Sequence, residues 1–135
     1  MLKGGCQCGA VRYEIDAEVP ATIYVCHCQE CQKQSASAFG ITVPVSEASF
    51  RLISGSLSQW QRTAESGNTI DCAFCPTCGS RIWHRTSQSP EMLRIRGGTL
   101  DAPPNISAAV HIWTVRKLDG VVIPASAKQF PRQPG

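Results

Sequence analysis

No stretch of about 18 consecutive apolar residues occurs in this 135-residue chain, so no helix is expected to span a bilayer. The opening Met1-Leu2-Lys3-Gly4-Gly5-Cys6 lacks the apolar core of a secretory leader. The expected setting is therefore the cytoplasm, where thiols stay reduced. Runs of lysine and arginine are also missing, which argues against a nucleic-acid partner. There is no internal repeat and no long helical period. Charged residues are scarce at 17%, against 42% hydrophobic, a balance that suits a folded chain. A chain of this length forms one domain with a real core. Its expected extent is 1–123, followed by a Pro-rich C-terminal tail at 124–135.

Cysteine is plentiful: there are 8. In a reducing compartment, Cys-x-Cys and Cys-x-x-Cys spacings indicate metal rather than disulfides. Cys26-His27-Cys28-Gln29-Glu30-Cys31 offers three sulfurs in six residues, and no further cysteine or histidine follows until Cys72. Zinc takes four ligands in structural sites and three, with an open position, where it does chemistry. Cys6 and Cys8 lie between glycines, and Cys75-Pro76-Thr77-Cys78-Gly79 is a second tight knuckle. These two pairs can close a four-thiolate site, leaving Cys26, Cys28 and Cys31 as a separate, open one. Cys72 reads either as a buried apolar cysteine or as a fourth ligand that would close the second site. Seven bound thiolates on two zinc ions would cancel the formal charge of +3.

The remainder reads as strands. Alternation marks Val11–Ile15 and Met92–Arg96, and Ala21–Val25, Phe39–Val45, Thr69–Phe74, Arg81–Arg85 and Ala108–Val115 also read as strands. Pro44 suggests an edge or a strand end. Asp16–Pro20 and Gly67-Asn68 read as turns, and Gln32–Ala38 holds at most one helical turn. Phe50–Ile53 and Leu57–Arg62 flank Ser54-Gly55-Ser56 and suggest a hairpin. Short strands with turn signals every 8–12 residues or so predict a mostly β domain.

Gly4–Tyr13, Cys26–Cys31, Ser35–Phe39 and Phe74–Ser80 together resemble the glutathione-dependent formaldehyde-activating enzyme family. Gly97-Gly98-Thr99-Leu100-Asp101 and His111-Ile112-Trp113 add to the likeness, which spans roughly residues 3 to 115. The resemblance implies a β-tent of antiparallel sheets and two zinc ions. It implies that Cys6, Cys8, Cys75 and Cys78 hold a structural zinc, and that Cys26, Cys28 and Cys31 hold a catalytic one. The implied activity is a carbon–sulfur lyase run toward synthesis, joining glutathione and formaldehyde into S-hydroxymethylglutathione. A non-catalytic zinc-stabilised binding module, or a glutathione-binding zinc enzyme with another substrate, stand as alternatives.

Zinc deprotonates a bound thiol, so a substrate thiol in the open position becomes a nucleophile toward an aldehyde. Three thiolates around a divalent ion already leave one net negative charge. A fourth therefore needs cationic or hydrogen-bonding support. Arg12, Arg81, Arg85, Arg94 and Arg96 are candidates to hold the carboxylates of glutathione. Ser35 and Ser37 are candidates for the pocket wall. His27 reads as a proton shuttle or a packing residue, and His84 and His111 as satisfied strand histidines.

Overall fold

The computed structural model describes residues 1–17 and 22–134. Its strands are β1 (Leu2–Gly5), β2 (Arg12–Ile15), β3 (Tyr24–Cys26), β4 (Gly40–Ser46), β5 (Phe50–Ser54), β6 (Ser58–Thr63), β7 (Thr69–Phe74), β8 (Arg81–Thr86), β9 (Met92–Arg96) and β10 (Val110–Ile112). One helix, α1 (Gln29–Ser35), follows β3. The protein is mostly β, as expected. Residues 18–20 of the anticipated turn at 16–20 and the start of the strand at 21–25 lie outside the described residues. No described helix is long and apolar enough to cross a membrane.

Two sheets form. The smaller has the order β1-β2-β5 and the larger β10-β3-β4-β9-β8-β7-β6. Every pairing is antiparallel except β10 with β3. The main core lies between the sheets. Val11, Tyr13 and Ile15 from β2 and its approach meet Val43, Val45, Ala73, Trp83, Leu93 and Ile95 from the larger sheet. The period-2 alternation read from the sequence is this division into two faces. A second, smaller cluster gathers Cys26, Cys31 and Ile112 against Trp113 and Phe130.

Three local expectations are corrected. Phe50–Ile53 and Leu57–Arg62 do not form a hairpin, because β5 pairs with β2 while β6 pairs with β7. The chain changes sheets at Gly55, whose positive φ of 81° turns it away and whose missing Cβ lets it lie against the Ala10 carbonyl. Gly4 and Gly5, read as part of a metal-binding turn, are paired strand residues of β1. Pro44 lies inside a central strand, but in the half of β4 that has β9 as its only described neighbour.

Alternation also builds a second, outward face on the larger sheet. The register sets Thr42 beside Arg96, Arg94 beside His84, His84 beside Cys72, Cys72 beside Trp60, and Ile70 beside Arg62. Helix α1 packs at one end of this face.

Candidate active site

The first cysteine group sits where the two sheets meet. Cys6 directly follows β1, Cys8 lies in the next turn, and Cys75 and Cys78 lie in the turn between β7 and β8. Their four sulfurs lie within 4.8 Å of one another. Backbone amides point at them: Val11 N donates to Cys6 Sγ at 3.2 Å, and Thr77 N and Cys78 N to Cys75 Sγ at 3.4 and 3.5 Å. The Ser80 hydroxyl, 3.3 Å from Cys78 Sγ, helps draw that thiol down to about 5. Cys6 and Cys75 are also members of the main core. A metal held here would cross-link both sheets.

The second group lies at the far side of the larger sheet. Strand β3 delivers Cys26, and Cys28 caps α1, accepting from Cys31 N at 3.3 Å as a serine cap would. The three sulfurs lie within 4.8 Å of one another. Hydrogen bonds from the Cys26 and Cys31 thiols, then amides of Cys31 and Glu30, hold Cys28 well below the ordinary thiol range. Cys26 is pushed up by donating to it. Sulfur-only donor sets with amides aimed at the sulfurs match the preferences of zinc. Both groups thus fit the metal that the sequence implies. Cys72, 1% exposed, stands outside both groups.

Beside Cys31 opens a cleft of about 230 Å³. Its wall near the helix comes from Glu30, Cys31, Lys33 and Gln34, and its floor from Trp60, Arg62, Ile70, Cys72 and His84, with Arg81 at the side. Three cations therefore face one small space. Arg81 lies over the rings of Trp60 and Phe74, at 5.6 and 6.0 Å from their centroids, which fixes its direction. Arg62 stands 3.9 Å from Glu30.

The sequence candidates divide around this cleft. Arg81 lines it. Arg12 instead forms a two-pronged pair with Asp101, and Arg85 pairs with Glu47 and Asp71. Arg94 donates to Thr86 at 3.5 Å. Arg96 is buried beneath the cleft region and donates to Thr42 Oγ1 at 2.8 Å. Ser35 and Ser37 are not in the wall; their hydroxyls close the end of α1 on the carbonyls of Cys31 and Phe39. His27 is fully enclosed, its Nε2 2.9 Å from His111 Nδ1, while among the described residues its own Nδ1 has no partner. Burial, then the neighbouring charges of His111 and Lys117, pull it down to about 4. It packs beneath the knuckle and does not border the cleft.

His84 behaves differently from the strand histidine expected, because it lines the cleft. Arg96 Nη1 stands 3.4 Å from His84 Nδ1. An arginine can only donate, so Nδ1 accepts and the neutral ring carries its proton on Nε2. Burial, then the charges of Arg96, Arg94 and Arg62, keep the ring neutral. Arg62, Trp60 and Lys33 were not singled out from the sequence. Their only local signal is the spacing Trp60-x-Arg62, which places both on one face of β6.

Comparison with known proteins agrees with this geometry. Residues 1–116 match the family model described as glutathione-dependent formaldehyde-activating enzyme. A Halomonas elongata protein that carries the family's name is 27% identical over 128 residues, 91% of this chain and 81% of that protein. A crystal structure of a Rhodobacter sphaeroides protein superposes with a TM-score of 0.59 at 22% identity, covering 95% of this chain and 98% of that one.

Proposed function

Because the chain belongs to the glutathione-dependent formaldehyde-activating enzyme family, we propose that it is a zinc-dependent carbon–sulfur lyase. Its reaction would join a glutathione-type thiol to formaldehyde. The observation that carries this reading is a cluster of three cysteine sulfurs, one short of a closed set, with Cys31 in the wall of a cationic cleft. Cys26, Cys28 and Cys31 would hold the zinc, which when bound acidifies a thiol entering the fourth position.

The chain's own residues supply the rest. Lys33, Arg62 and Arg81 give the two carboxylates of glutathione their counter-charges. Arg81, held over two rings, meets a carboxylate in a fixed direction. The thiolate sulfur forms a bond to the aldehyde carbon, and the π pair of the carbonyl moves to its oxygen. That oxygen takes the proton that the thiol gave up. His84, in the cleft floor with its proton on Nε2, would act as a donor to the developing alkoxide and not as a base. In the reverse direction the alkoxide collapses and the sulfur leaves.

Cobalt(II) in place of zinc makes thiol entry visible as sulfur-to-metal charge transfer. Titration with glutathione should raise that band and saturate. Exchange between free formaldehyde and its glutathione adduct, followed by NMR, should be faster with the protein and slow again in Cys28→Ser. A band that never responds to thiol would refute the open site. Saturable binding with no acceleration would leave a glutathione-binding zinc protein acting on another substrate.

A further inference from the structure

Arg96 is 6% exposed, on the outward face of β9. Among the described residues no carboxylate pairs with it. Its bonds are to neutral partners, Thr42 Oγ1 at 2.8 Å and His84 Nδ1 at 3.4 Å. A guanidinium cannot shed its proton, so this is a buried and formally uncompensated charge. Such a charge is strongly destabilising unless an opposite one lies close by. The other arginines of the cleft differ: Arg62 has Glu30 beside it and Arg81 lies over two aromatic rings.

The counter-charge is suggested by Gly40. A Cβ at that position would run into Arg96 Nη2 and would lie 3.3 Å from Cys31 Cβ. The guanidinium and the knuckle thus meet over one glycine. Gly40 is paired with Cys26 across the β3–β4 ladder, so it stands against two of the three cysteines at once. Thr42, two residues on and facing the same way, holds the guanidinium there.

We propose that Arg96 is the built-in counter-cation of the Cys26/Cys28/Cys31 metal site. It offsets the single net negative charge of three thiolates on a divalent ion. The site is thereby electrically neutral before substrate arrives, and an anionic fourth ligand can join it without creating two uncompensated charges. The four-cysteine site at the sheet junction differs: its neighbouring cation, Arg12, is already paired with Asp101, and Ser80 and backbone amides surround its sulfurs. The assignment rests on the proposal that the three-cysteine group binds metal, but not on which thiol or aldehyde it uses.

The test compares Arg96→Gln with Arg96→Lys in the full-length, zinc-loaded protein. Competition with a chromophoric chelator reads both metal sites. In Arg96→Gln the three-cysteine site should lose about 10–100-fold in zinc affinity, with the four-cysteine site unchanged as an internal control. Arg96→Lys should retain most of the affinity, since it keeps the charge. Equal affinities in Gln and Lys variants would overturn the assignment. A second readout separates charge from packing. In the cobalt-substituted protein, Arg96→Gln should weaken 2-mercaptoethanol, which binds as its thiolate, about tenfold and leave neutral imidazole unaffected. An equal loss for both ligands would overturn the assignment. Should Arg96→Gln not fold, Thr42→Val, which removes the shorter of the two hydrogen bonds of Nη1, should weaken the same site and not the other; no change there would likewise overturn it. A wild-type protein that holds only one zinc would instead refute the open-site reading itself.

Discussion

Tyr13 carries a polar atom into the main core at a cost the neighbouring groups repay. Thr99 Oγ1 donates to the Arg96 carbonyl at 2.8 Å, so the Tyr13 hydroxyl, 2.7 Å from Thr99, must be the donor in that pair. The arrangement satisfies a neutral phenol and has no place for a phenolate. Burial accordingly raises the group to about 12. The folded state then keeps a proton that the unfolded state loses near pH 10. Stability is fully present below about pH 10 and is lost as the pH rises through about 12, a total of about 2–3 kcal/mol. Urea titrations between pH 8 and 12 should show that decline in wild type and a flatter limb in Tyr13→Phe. Cys72 makes a contrasting case, buried at the cleft floor yet in neither cysteine group. Cys72→Ala should cost about 1–2 kcal/mol by denaturant titration, with metal content unchanged. Loss of one metal would make it a ligand.

At the scale of elements, β10 is only three residues long and needs help to hold its place. It receives help from the tail. His111 N donates to the Lys128 carbonyl and Phe130 N to the His111 carbonyl, both at 2.9 Å. Phe130 then packs with Cys26 and Ile112. Beyond β10, Trp113 takes a left-handed φ of 56°, unusual for an aromatic residue, as the chain turns toward Arg116. The carbonyl of Arg116 accepts from the Gln32 side chain of α1, which also bonds the carbonyl of His27. Removing residues 124–135 should therefore loosen β10, β3 and α1 together. Metal analysis of that truncation should find the four-cysteine site filled and the three-cysteine site depleted, whereas full occupancy of both would make the tail dispensable.

This is also the scale at which the sequence stops being informative. β7 and β9 are legible to the residue, because buried and half-buried residues alternate over most of each and both end at a turn signal. β1 is hidden by Gly4 and Gly5, whose strand conformation comes from pairing rather than propensity. The β5–β6 hairpin failed as an expectation because partner choice is a long-range property, decided by β2 and β7. The knuckles are legible from spacing alone, since Cys-x-Cys and Cys-x-x-Cys bring sulfurs together at tight turns. The cleft is not. Arg96, Arg94 and the solvated arginines look alike in an alternating strand, and only the packing of α1 at the β4 end of the sheet face buries one of them.

Over the whole molecule, the two cysteine groups do different mechanical work. The first joins β1 to the β7–β8 turn and shares Cys6 and Cys75 with the core between the sheets. Its ligands come from sequence positions about seventy apart, so binding metal there closes a long loop and adds directly to folding. The second draws all its ligands from six consecutive residues around the start of α1. Losing its metal frees a knuckle but leaves both sheets paired. Cys75→Ser should therefore lower the thermal midpoint by well over ten degrees or leave the chain aggregated, while Cys28→Ser should stay folded with a near-normal circular dichroism spectrum and reduced metal. Stepwise chelation should separate the same two events in wild type: an early loss of metal with little change in secondary structure, then a second loss coincident with unfolding. If the two variants collapse alike, or both metals leave in one cooperative step, the knuckle beside the cleft is as structural as the sheet junction, and the case for an open, working site falls with that result.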